Sequence, residues 1–528
     1  MISISSNILL LLLLLLILLL NSSMSINSII RKLVTSSSSS LSLSSSLSRI
    51  TMSLSRPSPL QLGLTGSIGM GKSAVASQFA RMGFPVFDAD ATVHKLYSKN
   101  GNAVEAIRNI FPDAVIDDVV NRTILASKCL NTPNALKQLE DIVHPLVAIE
   151  RQKFYENANN EGHLCVIYDI PLLLEKPDSQ KVDYVLVVTA DAEIQKKRVL
   201  NRPNMTIDKF QSILSKQMPD HEKREKADFL IRTDFRGYAP AKAQVARILE
   251  TLIEAHPIIW SAWKSRGSSM TLPLKSSSSS SSSLSNNEIV SNLFDVVIFD
   301  LDDTLAPVGD VLMKAAAAMM TFMEQKMPQT AAVAKTNLKD TMISISKENM
   351  LITHDLTEVR REALYVLSSD KGDEAKYVDE AIDIFIKVRS NVTAYLYDDV
   401  KECLDWLVSN NVRIGVLTNG NADLSCCSVL SKYISFSIGA GDVGAKKPSP
   451  VPFIAAAQRA GVPCNRILFV GDNHHHDVIG AKNVGMRTVY LNRNNNSLEK
   501  VEADIVIETL SPHVFKEKLT TFASSNDF

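Results

Sequence analysis

Two stretches of this chain place residues where they could handle phosphate. Gly66-Ser-Ile-Gly-Met-Gly-Lys-Ser73 follows the apolar run LQLGLT and precedes the helical pattern SAVASQFARM, the context that a GxxxxGK[ST] loop requires. Gly66, Gly69 and Gly71, with Met70 between them, let backbone N–H groups close on phosphate oxygens at a helix N-terminus. Lys72 would neutralise the β- and γ-phosphates of ATP, and the Ser73 hydroxyl would coordinate Mg²⁺. Asp88 and Asp90 end the run FPVFDAD, at the strand end where ligands of open parallel sheets collect. A carboxylate there can take a proton from an attacking hydroxyl or hold a metal, and helix capping is the competing use.

These residues need strands to present them. The first half alternates short apolar runs (LQLGLT, FPVFDAD, HLCVIYDI, DYVLVV, ADFLIR) with helical stretches, and the second repeats the pattern with DVVIFDLD, VRIGVLTNG, RILFVGDN and RTVYLN. Such alternation predicts parallel sheets covered by helices, the α/β class with two doubly wound domains. About a hundred largely helical residues separate the first two strands of the second half and read as a cap. Met313, Met319, Met320, Met323 and Met327 fall near helical spacing within it and read as core filling.

The serine run Ser276–Ser283 buries nothing and reads as a linker. The expected organisation is a low-complexity extension over 1–57, a first domain over 58–265, a linker over 266–291 and a second domain over 292–528 with its cap near 311–400. With 528 residues the chain exceeds a single core. Its 56 basic and 57 acidic residues give no bias toward nucleic acid. Six scattered cysteines lack CxxC pairing, which points to a reducing compartment and no structural zinc.

Within the first half, GLTGSIGMGKS, VFDADATVHKLY, LEDIVHPLV, YDIPLLLE and the stretch with Gln195, Arg198 and Arg202 occur in order. Together they resemble dephospho-CoA kinases over Leu62 to about Ile258. The resemblance implies ATP-dependent phosphorylation of the ribose 3'-hydroxyl of dephospho-CoA, with Asp90 as the base and Asp88 beside it supporting substrate or metal. Arg198 would reach ATP across a closing lid. Asp169 would help orient Mg²⁺ or the acceptor, and Glu175 would contact the acceptor or cap a helix. Pro145 is expected to bend its helix and His144 to be structural. Where many relatives carry an Asp-Asn pair with a following Gly, this chain has Ile231-Arg232-Thr233-Asp234, which leaves the ATP base contacts open.

In the second half, Asp300 and Asp302 of FDLDDTL, Thr418 with Asn419 after IGVLT, Lys447 in GAKKPSPVPF, and Asp472 with Asp477 in FVGDNHHHDVIGA resemble the four motifs of haloacid dehalogenase-like hydrolases. The resemblance implies a Rossmann-like core with a helical cap. Asp300 would be the nucleophile and Asp302 the acid and base, with Thr418, Asn419 and Lys447 on the phosphoryl oxygens. Asp300, Asp302 through its carbonyl, and Asp472 would hold Mg²⁺, supported by Asp477. The expected substrate is a small phosphorylated metabolite. The alternative is a kinase of another small acceptor joined to a non-catalytic module. A transition-metal role for His474, His475 and His476 is the lesser reading beside these carboxylates.

Ile8–Leu20 is an unbroken Leu/Ile run of signal-peptide length, followed by serine tracts whose charged residues are basic up to Asp88. The composition suits import into a plastid or mitochondrion. A cytoplasmic protein starting at Met24 or Met52 is the alternative, and membrane contact is expected only if the apolar run is retained.

Overall fold

The computed structural model describes residues 58–129, 132–175, 181–265, 289–493 and 501–524. The extension at 1–57 and the serine run lie outside the described residues. Among the described residues no helix is long and apolar enough to cross a membrane.

In the first half β1 (Leu60–Thr65) lies at the centre of a five-stranded sheet of order β2-β5-β1-β6-β7, with β2 (Val86–Asp88), β5 (Cys165–Asp169), β6 (Tyr184–Thr189) and β7 (Phe229–Arg232) all parallel. Helices cover both faces of a parallel sheet, so its strands read as unbroken apolar runs; Leu62, Leu64, Ile167 and Val187 are fully buried. The register pairs Leu64 and Asp88 with Asp169. That alignment brings the phosphate loop and both acidic strand ends to one edge of the sheet.

Helix α1 (Lys72–Arg81) follows the loop, and α2 (Ala89–Tyr97) follows β2. Between them and β5 a subdomain with its own apolar cluster contains the hairpin β3 (Val115–Ile116) and β4 (Val119–Val120) and the long helix α3 (Pro133–Glu161). Pro145, expected to bend its helix, does not end it. Helix assignment runs through Pro145, inside 29 residues that start with Pro133, and His144 beside it is exposed. Helices α4 (Ala192–Leu200) and α5 (Ala239–Ala255) complete the layer used below.

The second sheet has six parallel strands in the order β10-β9-β8-β11-β12-β13, centred on β8 (Val296–Phe299) between β9 (Arg413–Thr418) and β11 (Ile467–Gly471). β10 (Ile434–Gly439) lies on one side, and β12 (Arg487–Leu491) and β13 (Ile505–Ile507) on the other. The cap consists of α6 (Val308–Lys326), α7 (Pro328–Glu348), α8 (Leu356–Ser368) and α9 (Val378–Ser390). Met319, Met323 and Met327 fill its core, whereas Met313 is 65% exposed and is no part of it. A helical period of 3.6 puts Met313 near the others on the axis but off their stripe.

Ser58–Phe528 cluster as one unit. A single apolar cluster runs from Leu62 and Val245 of the first half to Phe453 and Ile454 of the second. Helices α10 (Ala440–Val443) and α11 (Pro450–Ala460) carry the second half's side of that contact, against α5.

Candidate active sites

The phosphate loop opens onto a cavity of about 760 Å³ lined by Lys72, Ser73, Asp90, Arg198, Arg202 and Thr233, among others. Gly69 and Gly71 hold φ of 81° and 93°, a left-handed backbone that residues with a Cβ adopt only at a cost. Beneath them Gln195 Nε2 donates to the Ile68 carbonyl at 2.7 Å, and Gln217 Oε1 accepts from Ile68 N at 3.1 Å. The loop is thus fixed by side chains of two other segments before any phosphate arrives.

The Lys72 ammonium bonds the Asp169 carboxylate. Burial raises the Asp169 pKa, Lys72 opposes that shift, and the neighbouring Asp88 and Asp90 charges add repulsion. These three carboxylates and one lysine form an acidic cluster at the ends of β2 and β5, beside the cavity. Asp90 lines it from the first turn of α2. Asp88 is instead the helix cap, its Oδ1 accepting from Ala91 N at 2.8 Å, so the competing use named from sequence is realised at one of the two positions.

Other predicted residues separate. Arg198 lines the cavity and donates through Nη1 to Thr233 Oγ1 at 2.9 Å and through Nη2 to the Thr233 carbonyl at 2.5 Å. Thr233 Oγ1 in turn donates to the Met70 carbonyl at 2.7 Å. The departing Ile231–Asp234 segment therefore ties the arginine to the phosphate loop, a role its sequence did not signal. The Met70 side chain turns into the core, where its sulfur accepts from Ala190 N at 3.1 Å, so its expected contact with ATP is limited to backbone. Glu175 is ion-paired at 2.8 Å with the fully buried Lys223 and accepts from Met218 N at 3.1 Å. The structure does not bring Glu175 to the cavity, and a buried lysine explains its carboxylate.

In the second half all four motifs converge at the carboxyl ends of β8, β9 and β11. Lys447 Nζ lies 2.7 Å from Asp300 Oδ1 and 2.6 Å from Asp477 Oδ1, and donates to the Leu417 carbonyl at 3.0 Å. Burial pulls the lysine's pKa down, but the two carboxylates together hold it above the ordinary value. Asn419 latches this lysine in place, its Oδ1 accepting from Lys447 N at 2.7 Å and its Nδ2 donating to the Lys447 carbonyl at 3.1 Å. Asn419 is thus a positioning group for Lys447. Thr418 is buried, and its Oγ1 accepts from Gly420 N at 2.8 Å.

Carboxylate oxygens of Asp300, Asp472 and Asp477 lie within 4.8 Å of one another. Burial raises the Asp300 pKa well above its usual range, against the pull of Lys447, and burial with repulsion from Asp477 raises Asp472 to about 6. An all-oxygen donor set whose charges are buried and mutually repelling fits a hard divalent cation such as Mg²⁺. The Asp302 side chain is not among these three. Thr304 Oγ1 donates to Asp472 Oδ1 at 3.1 Å, and Asp477 Oδ2 accepts from Asn473 N at 3.0 Å. The three consecutive histidines supply no ligand atom here, and His474 Nε2 accepts from Glu502 N at 3.3 Å.

Asp302 has a partner that sequence reasoning missed. Arg389, at the end of cap helix α9 and 1% exposed, bonds its carboxylate. Burial raises the Asp302 pKa and Arg389 opposes the shift. The one available signal was a charged residue in the otherwise apolar stripe of that helix.

The dephospho-CoA kinase family model matches residues 60–236, and the model of haloacid dehalogenase-like hydrolases matches residues 294–485. The dephospho-CoA kinase of Rhodopseudomonas palustris is 47% identical over 191 residues, 36% of this chain and 94% of that protein. That of Mesorhizobium japonicum is 48% identical over 191 residues, 36% of this chain and 95% of that protein. Among solved structures, a 2-haloacid dehalogenase from Pseudomonas syringae is 29% identical, covering 42% of this chain and 99% of that one, with a TM-score of 0.40. A dephospho-CoA kinase from Campylobacter jejuni is 22% identical, covering 37% and 98%, with a TM-score of 0.30. Through its first half the chain belongs to the dephospho-CoA kinase family, and a haloacid dehalogenase-like hydrolase domain is fused behind it.

Proposed function

We propose that the chain is bifunctional: residues 58–265 convert dephospho-CoA and ATP to CoA and ADP, and residues 292–528 hydrolyse a small phosphate monoester. The observation that carries the kinase assignment is the single cavity that holds Lys72, Asp90, Arg198 and Arg202. Asp90 takes the proton of the ribose 3'-hydroxyl as its oxygen attacks the γ-phosphorus. Lys72 leaves Asp169 for the β- and γ-phosphates, and the two arginines meet the charge that spreads over the transferring group.

For the second half the carrying observation is the convergence of Asp300, Thr418, Lys447, Asp472 and Asp477 around one point, with Asp302 beside them. Asp300 attacks phosphorus and forms an aspartyl phosphate while the leaving oxygen takes a proton from Asp302, whose raised pKa suits a donor. Asp302 then accepts a proton from the water that attacks the aspartyl phosphate, releasing inorganic phosphate and restoring Asp300. Thr418 and Lys447 hold the phosphoryl oxygens through both steps. Mg²⁺ held by Asp300, Asp472 and the Asp302 carbonyl, with Asp477 supporting that set, would supply charge neutralisation at the phosphoryl group.

The test follows CoA formation and phosphate release separately in the purified chain with Mg²⁺. Lys72→Ala is expected to remove the first activity and Asp300→Asn the second. Phosphate release by Asp300→Asn at the wild-type rate would sink the hydrolase reading. An organelle is the compartment we propose, resting on the composition of residues 1–57, and a fluorescent fusion of residues 1–60 that stays in the cytosol would overturn it.

A further inference from the structure

The cap covers the hydrolase centre and also rests on the kinase half. Over the centre, Asn421 Nδ2, just past Thr418, donates to Thr357 Oγ1 at 2.8 Å, Asp423 N donates to Ser390 Oγ at 2.8 Å, and Arg389 bonds Asp302. Asp300 is 7% exposed, and Thr418 and Lys447 are each 3% exposed. A phosphoryl group must touch all three at once, so it enters only when the cap lifts, as lids over sequestered sites do.

Lifting the cap disturbs the other half. The Arg236 guanidinium carbon lies 3.4 Å from the centroid of the Tyr365 ring, with Nε 3.7 Å from Glu362 Oε1. A Cβ placed on Gly237 would lie 3.4 Å from Glu358 Oε2. Ala239, 3% exposed, shares an apolar cluster with Ile352 and Val359. Thr357, Glu358, Val359, Glu362 and Tyr365 all belong to α8, so the helix that bonds the hydrolase core is the one that meets the kinase.

The kinase segment it meets is also a wall of the nucleotide cavity. Thr233 and Tyr238 line that cavity, with Ala241 and Lys242 just beyond them on α5, and Thr233 holds Arg198 and the Met70 carbonyl of the phosphate loop. The cap orders this wall from behind, and a nucleotide orders it from the front. Two contacts that order one segment favour each other, and the coupling runs equally in both directions.

We propose that a nucleotide in the kinase cavity holds the hydrolase cap shut, through the docking of α8 on the segment from Arg236 to Ala239. The kinase half is then an inhibitory clamp on the hydrolase, released when the cavity empties.

This rests on reading the second half as a phosphatase, and the experiment separates the two ideas. With the full chain and Mg²⁺, hydrolysis of p-nitrophenyl phosphate is followed with and without the β,γ-imido analogue of ATP, which cannot transfer its terminal phosphate. At saturation kcat/KM is expected to fall at least about fivefold, the lower end of ordinary coupling between sites. Half-maximal inhibition should coincide with the calorimetric Kd of the analogue, and Lys72→Ala should weaken both together. Arg236→Ala, a change outside both centres, should hydrolyse the probe at least as fast as the wild type and lose most of the inhibition. An unchanged kcat/KM overturns the proposal. So does inhibition whose midpoint departs from that Kd, because the analogue would then be acting in the hydrolase site itself. Hydrogen exchange needs no turnover: the amides of α8 should exchange more slowly with the analogue in the wild type and not in Arg236→Ala. If p-nitrophenyl phosphate is not hydrolysed but this protection appears, the phosphatase reading fails and the clamp stands; equal exchange with and without the analogue overturns the clamp.

Discussion

The side-chain amide of Gln78, on the helix that follows the phosphate loop, donates to the backbone carbonyl of Asp442 in the hydrolase half at 2.6 Å. Around it Lys242 Nζ donates to the Gly441 carbonyl at 2.7 Å, Ser449 Oγ to Glu250 Oε1 at 2.5 Å, and Arg459 Nε to the Arg81 carbonyl at 2.7 Å. Lys242 also lines the ATP-sized cavity. The two active centres are thus built on elements that share one apolar cluster.

Gly444 should be the weakest point of that contact to substitution. Its φ is 84°, and a Cβ there would lie 2.2 Å from the Lys242 carbonyl oxygen. Gly444→Ala combines backbone strain with a clash against main chain and is expected to cost more than about 1 kcal/mol. A thermal melt checks it; an unchanged melting temperature would mean the halves do not press together there.

A fragment ending at residue 265 should melt below the full chain and bind a hydrophobic dye. Ile248, Leu249 and Leu252 on α5 share their cluster with Phe453 and Ile454, and without that cover part of their apolar area returns to water at about 25 cal/mol per Å².

The two acidic residues at the end of β2 should separate in assay. Asp90→Asn is expected to lower CoA formation by about 10²-fold or more, as loss of a general base does. Asp88→Ala should instead cost about 1 kcal/mol of stability, the usual worth of an N-cap, seen as a lower denaturation midpoint. Equal loss of turnover in both would return Asp88 to the chemistry.

If the carboxylate trio is the Mg²⁺ site proposed above, Mg²⁺ should stabilise the hydrolase half by mass action, because only the folded chain brings these oxygens together. A melt with and without 10 mM Mg²⁺ (about a hundredfold over a Kd of roughly 0.1 mM would give ~2.7 kcal/mol) measures it. Asp472→Asn should shrink the shift, and an undiminished shift would place the ion elsewhere.

His354 sets an acid sensitivity. It is 5% exposed, and burial with the nearby Lys242 and Lys446 lowers its pKa to about 4, against the pull of Asp355. Below the unfolded value near 6.5 the unfolded chain binds the proton and the native state resists it, so stability falls with pH from about 6.5 toward 4. One pH unit below 6.5 the loss is about 1 kcal/mol. His354→Gln should flatten the denaturation midpoint between pH 7.5 and 5.5, and an identical slope in the variant would exclude this residue as the cause.

Lys72, Asp90, Asp300, Lys447 and Asp472 were legible in the sequence because each sits at a fixed offset from a strand end, where register alone delivers it to the site. Glu175 was not, because its use depends on Lys223, 48 positions away, which folding buries against it. Met70 and Asp88 lie inside motifs, yet one side chain turns into the core and the other caps a helix; a motif places a backbone and leaves each rotamer to its surroundings.

By itself the sequence determined two parallel sheets, their order of motifs, the phosphate loop and the acidic centre, since these follow from local apolar periodicity and short-range spacing. Only the tertiary structure decided that Thr233 ties Arg198 to the phosphate loop, that Gly444 admits the Lys242 backbone, and that Arg389 crosses from cap to core to meet Asp302. Those pairings join residues 35, 202 and 87 positions apart. No periodicity reports such distances, because they are set by how finished elements pack.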